Sequence, residues 1–162
     1  MEKLYSIAKK TITVCMVFCL YSSVAFCSNH IQEMTMLRDS IIAQSNQMPP
    51  LIRAASADDI RTLERIYELN TSTLTTIEAY FKMIKVITSS QVEINNSIIQ
   101  SLNEWLQFIN NQCEFDTDYL NEALQISKTP STIEQIQAAK AHMVNLVKIT
   151  NQGIDENLLI IE

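Results

Sequence analysis

Apolar residues recur along this chain at steps of three and four, the spacing that gathers them on one face of an α-helix. Ile31, Met34, Leu37, Ile41 and Ile42 do so between Asn29 and Gln47, which predicts a first helix. The Pro49-Pro50 pair is expected to stop it, because proline has no amide to donate and restricts the residue before it. Ser56-Ala57-Asp58-Asp59 opens a second helix, with Ser56 as cap and the aspartates at the positive end of the dipole. The apolar march then runs through Leu63, Ile66, Ile77, Tyr80 and Ile84 to Ile87, and resumes from Ile94 to Cys113.

Leu63, Ile77, Ile84, Ile98 and Trp105 share one heptad position, the spacing of a bundle or coiled-coil seam. Asn70 and Gln91 fall in the same register, where a polar side chain specifies alignment or a partner helix at a cost in stability. A single rod from Asp58 to Gln112 would be roughly 80 Å long at about 1.5 Å per residue. A turn near Thr88 to Ser90, followed by the Ser90 to Glu93 capping-box pattern, is the preferred reading and makes a hairpin.

Glu114 to Asp118 reads as a helix end and a new start, with a short helix from Thr117 to Ser127. Thr129-Pro130-Ser131-Thr132-Ile133-Glu134 is a break followed by a Ser131 cap paired with Glu134. The last helix carries Ile133, Ile136, Ala139, Met143, Leu146 and Val147 on one face, and Gly153 is expected to end it as a left-handed cap. Leu158, Leu159, Ile160 and Ile161 form a consecutive apolar tail. With neither glycine nor proline from Leu51 to Thr129, tight-turned sheets are excluded. The fold class read from the sequence is all-α, a bundle of four or five helices.

The first 27 residues have a different pattern. Lys3, Lys9 and Lys10 precede a mostly apolar run from Ile12 to Leu20, and Ala25 and Cys27 end the segment at the positions where small residues favour cleavage. The run is short of the roughly 20 residues that span a bilayer, so residues 1–27 read as a secretory signal peptide rather than an anchor. Lipidation at Cys27 is the alternative processing. Residues 28–162 would then form a single helical-bundle domain, periplasmic or secreted, with no membrane insertion after cleavage. Removing Lys3, Lys9, Lys10 and Glu2 turns 12 bases and 18 acids into 9 and 17, so the net charge moves from −6 to −8. An acidic chain without a basic cluster is a poor match for nucleic acid or an anionic membrane surface.

Of Cys15, Cys19, Cys27 and Cys113, only Cys113 outlasts the leader. It reads as a buried apolar residue or, in an oxidising compartment, as half of an intermolecular disulfide. His30 and His142 are the only histidines. A haem held between His142 and Met34 or Met36 has no second supporting signal, and the Glu-x-x-His pairs of di-metal bundles do not occur. Asp116 to Glu122 begins like a calcium loop, but Leu120 fills a ligand position and the turn glycine is missing. Trp105, Phe108 and Phe115 are expected to anchor the core. Asn70-Thr71-Ser72 and Asn95-Asn96-Ser97 match the glycosylation pattern of a eukaryotic secretory pathway.

The reading is therefore an exported, non-enzymatic protein with no cofactor. It would act through self-association or a protein partner by helix-helix contact, as an accessory component of a bacterial surface or secretion assembly. Asn70, Gln91, Cys113, Leu158, Leu159, Ile160 and Ile161 are the residues singled out for interaction. A secreted helical signalling protein and a periplasmic metal- or haem-binding bundle are the alternatives.

Overall fold

The computed structural model describes residues 28–89 and 95–158. They form four helices, α1 (Ser28–Ala54), α2 (Ala57–Ser89), α3 (Asn96–Ile126) and α4 (Pro130–Leu158), packed as an all-α bundle. The hairpin reading holds, since α2 and α3 are separate helices. Gln91, the Ser90 to Glu93 box, residues 1–27 and Leu159 to Ile161 lie outside the described residues, and Leu158 closes α4.

Helices consecutive in sequence run antiparallel, as do α1 and α4. His30 at the start of α1 meets Tyr80 near the end of α2 and Glu156 near the end of α4, while Gln112 of α3 reaches back to Ser72 of α2. The most extensive packing joins α3 to α4, and α4 also packs against α1 and α2. By contrast, α2 and α3 meet sparingly.

Each helix turns a heptad-spaced stripe inward. On α1 the buried positions are His30, Met34, Leu37, Ile41, Gln44 and Met48, alternating steps of four and three with two polar members. The core adds Leu63, Ile66, Leu69, Ile77 and Tyr80 from α2 and Leu102, Leu106, Ile109, Cys113 and Leu120 from α3. α4 contributes Ile136, Ala139, Met143, Leu146 and Ile149. At about 1.5–3 kcal/mol per fully buried large aliphatic side chain, this burial is the main stabilising term.

Four local expectations are corrected. The prolines do not end α1, which contains Pro49 and Pro50 and continues to Ala54. Pro49 and Pro50 are both exposed, so neither ring intrudes on the core face of α1. Beyond the prolines, Leu51 and Ile52 still pack against the core. Similarly, α3 runs unbroken through Glu114 to Asp118, because Leu120 and Ala123 continue the buried stripe in phase with Cys113. Thr117 is accommodated by donating to the Cys113 carbonyl at 2.7 Å. The cap of α4 lies two residues earlier than Ser131: Pro130 takes the first helical position and the Thr129 carbonyl accepts from Ile133 N–H at 3.0 Å. Finally, Gly153 lies inside α4 rather than capping it.

Candidate functional site

Polar residues on the inward stripes bond to one another across helices and form rungs along the bundle. In one rung the His30 Nδ1–H donates to Glu156 Oε2 at 2.7 Å, and Nε2 lies 3.0 Å from the Tyr80 hydroxyl. In the tautomer that carries its proton on Nδ1, the ring accepts the Tyr80 proton at Nε2. A carboxylate–imidazole–phenol set can in principle pass a proton, but His30 is 1% exposed and Tyr80 is 0% exposed, so neither offers a face to a substrate. The ring is seated against Gly153, where an added Cβ would lie 3.1 Å from His30 Cδ2. The glycine is needed for this close approach.

Midway along the bundle, Asn70 Nδ2 donates to Gln44 Oε1 at 3.0 Å. Gln44 Nε2 in turn donates to the Gln135 carbonyl at 2.8 Å. Ser40 and His142 Nε2 are 3.0 Å apart on the α1–α4 boundary, and burial pushes the His142 pKa down, which keeps the ring neutral. On the α3–α4 boundary Thr150 donates to Asn110, and Asn157 donates to Asn103 at 2.8 Å. Sliding one helix against another would unmake these bonds, each unpaired buried group costing about 1–3 kcal/mol. The rungs therefore fix register.

At the end that holds both tight connections, Asp59 Oδ2 accepts from Ser56 and from Thr129, each at 2.6 Å. The two hydroxyls hold its carboxyl below the usual range against the opposing effect of burial. The clasp ties the α1–α2 turn to the α3–α4 turn beside a cleft of about 140 Å³ lined by Leu51, Leu63 and Thr132 among others.

The outer surface carries a different signal. Phe108, Phe115 and Ile126 of α3 are 55%, 70% and 74% exposed. Positions seven and eighteen apart return to the same face of a helix with about 3.6 residues per turn, so the three form one stripe. Its span is roughly 27 Å at about 1.5 Å per residue. This overturns the expectation that Phe108 and Phe115 anchor the core. Ile99, Leu102, Leu106, Ile109 and Leu120 set the buried arc of α3, and the two phenylalanines fall well outside that arc. Trp105, at its edge, is half-buried and tilts against Phe108 with ring centroids 5.9 Å apart. Aromatic content alone pointed inward; the phase of each aromatic against the aliphatic arc would have pointed Phe108 and Phe115 outward.

The residues singled out from the sequence are dispersed. Asn70 is fully buried and serves the internal rung, so it faces no external partner helix and cannot carry a glycan in this fold. Cys113 lies in the core, its thiol pushed up to about 12 by burial and by the nearby charges of Asp116 and Glu114. That position closes the route to an intermolecular disulfide while the bundle is intact. Met34 is buried in the core, Met36 is exposed, and His142 bonds to Ser40. Among the described residues no three or more His, Cys, Asp and Glu side chains are grouped as a metal site, and no helix is long and apolar enough to cross a membrane.

No protein-family model, curated protein or solved structure matches the chain.

Proposed function

We propose that this chain is an exported, non-enzymatic binding protein that works by helix-on-helix association, with the outer face of α3 as the surface it presents. An accessory role in a bacterial surface or secretion assembly fits this activity. The observation that carries the reading is the stripe of Phe108, Phe115 and Ile126, each more than half exposed on the outer face of α3. Large apolar side chains aligned on one helix face are the usual anchors of helix-in-groove recognition. Cost supports the same reading: leaving these side chains in water forgoes burial worth about 1.5–3 kcal/mol each.

Site-specific photo-crosslinking in cells that make the protein tests this. A photoreactive side chain at Phe115 is expected to give a discrete protein adduct that is lost when Phe108→Ser and Ile126→Ser are added. The same probe at Glu64 or Gln137, both exposed on other helices, should give none. Equal adducts from all three positions, or none from Phe115, would overturn the assignment of the face. Recovery of the protein outside the cytoplasm with a mass starting at Ser28 tests export separately.

A further inference from the structure

We infer that the partner of the α3 face is a cationic amphipathic helix of about five turns, apolar along one side and flanked by lysine or arginine. The inference rests on the reading of α3 as a binding face and specifies the chemistry of its occupant. α3 carries Glu104, Glu114, Asp116, Asp118 and Glu122, and it contains no lysine, arginine or histidine. Asp116 points into the core. Of the others, Glu104 and Glu122 lie within a small rotation of the stripe itself, at i−4 from Phe108 and from Ile126, and Asp118 lies at i+3 from Phe115. All three are exposed.

Glu104 near one end, and Asp118 and Glu122 near the other, therefore border the apolar stripe along one side. Towards α2, Arg65 stacks over the Tyr119 ring at 5.8 Å and pairs with Glu68 at 3.2 Å, and Arg61 also lies near Tyr119 on that side. No group on α3 itself offsets the acids.

Charge then separates the possible occupants. A second copy of the chain laid antiparallel, α3 against α3, would bring Glu104, Asp118 and Glu122 of the two copies to the same side, a like-charge arrangement that costs free energy and disfavours encounter. Nucleic acid and anionic lipid meet the same repulsion. A helix bearing apolar residues about seven and eighteen apart, with basic residues along the side that meets Glu104, Asp118 and Glu122, would cover the stripe and pair the carboxylates together.

The test uses the whole folded chain and three synthetic 21-residue peptides. One has leucines on one helical face and flanking lysines; the second replaces the lysines with glutamates; the third scrambles the first so that no face forms. Binding is read by peptide anisotropy and by emission of Trp105, the only tryptophan, whose ring touches Phe108. The lysine peptide is expected to bind at least about tenfold tighter than either control and to weaken about tenfold between roughly 0.05 and 0.3 M salt. Phe115→Ser should cost about tenfold, and the pair Glu104→Lys with Glu122→Lys should shift preference to the glutamate peptide. Equal binding of the lysine and scrambled peptides, preference for the glutamate peptide, or no binding at all would overturn the cationic partner. A dimer through α3 in sedimentation, abolished by Phe115→Ser, would replace that partner with a second copy. An adduct from position 115 would survive any of these failures, so the two readings fall separately.

Discussion

Replacing Gly153 with alanine sets two effects of known size against each other. In a helix interior alanine is favoured over glycine by about 1 kcal/mol, and Gly153 lies inside α4. The new Cβ, however, would lie 3.1 Å from His30 Cδ2, 3.3 Å from His30 Cγ and 3.1 Å from Leu106 Cδ1. The leucine methyl is the free end of a flexible chain and yields cheaply. The imidazole does not yield, because Glu156 and Tyr80 hold its two nitrogens at 2.7 and 3.0 Å. Overpacking against a fixed group costs about 1–3 kcal/mol, so Gly153→Ala should destabilise the bundle by about 1 kcal/mol net. In a His30→Ala background the obstruction is gone, and the same substitution should stabilise by about 1 kcal/mol. Urea unfolding of the four proteins, followed by far-UV circular dichroism, measures a coupling expected near 2 kcal/mol. If Gly153→Ala stabilised both backgrounds equally, the ring would be free to move and the account of its anchoring would be wrong.

Two buried carboxyls should give opposite pH responses. Burial pushes Asp116 up, with Arg65 opposing, so its contribution to stability is present in acid and is lost as pH rises through its elevated pKa. Asp116→Asn should therefore stabilise the protein by about 1 kcal/mol at neutral pH and by little in acid, measured as urea midpoints across pH. The Asp59 carboxyl is held down by the Ser56 and Thr129 hydroxyls, so its contribution is present above the usual carboxylate range and is lost as pH falls through its lowered pKa. Asp59→Asn should flatten the acid limb of the stability curve, and an unchanged limb would discount the clasp. Asn70→Ala should cost about 2–3 kcal/mol by leaving Gln44 Oε1 without its donor and opening a small void. Cys113 should react with a thiol reagent far more slowly in the native protein than in denaturant, and rapid native labelling would contradict its place in the core.

The fold class was legible because each helix writes its buried face as steps of three and four. Met34, Leu37 and Ile41, or Ile136, Ala139 and Met143, stand out in the sequence alone. Polar residues in phase with those stripes were harder to read. His30 is four before Met34 and Gln44 three after Ile41, yet a scan for apolar residues passes over both. Only a partner on another helix, such as Tyr80 or Asn70, explains their burial. Helix ends were misread at Pro49-Pro50 and at Glu114 to Asp118 because local breakers were weighed without the packing beyond them. The Phe108 and Phe115 face was hidden by the assumption that large aromatics turn inward, and angular phase was the signal that was needed.

The position of α4 bears on how the chain is built. It is the helix that packs against each of the others, and it follows all of them in the sequence. A chain delivered N-terminus first can pair α1 with α2, but α3 finds little on α2 to cover its apolar arc. Closure waits for segments far apart in sequence, such as His30 and Glu156 at a separation of 126 residues. Contacts of such long range slow folding, because the loop entropy is spent before the contact returns it. Until α4 has emerged, the first three helices lack the partner that each of them packs against, and the bundle cannot close around its core.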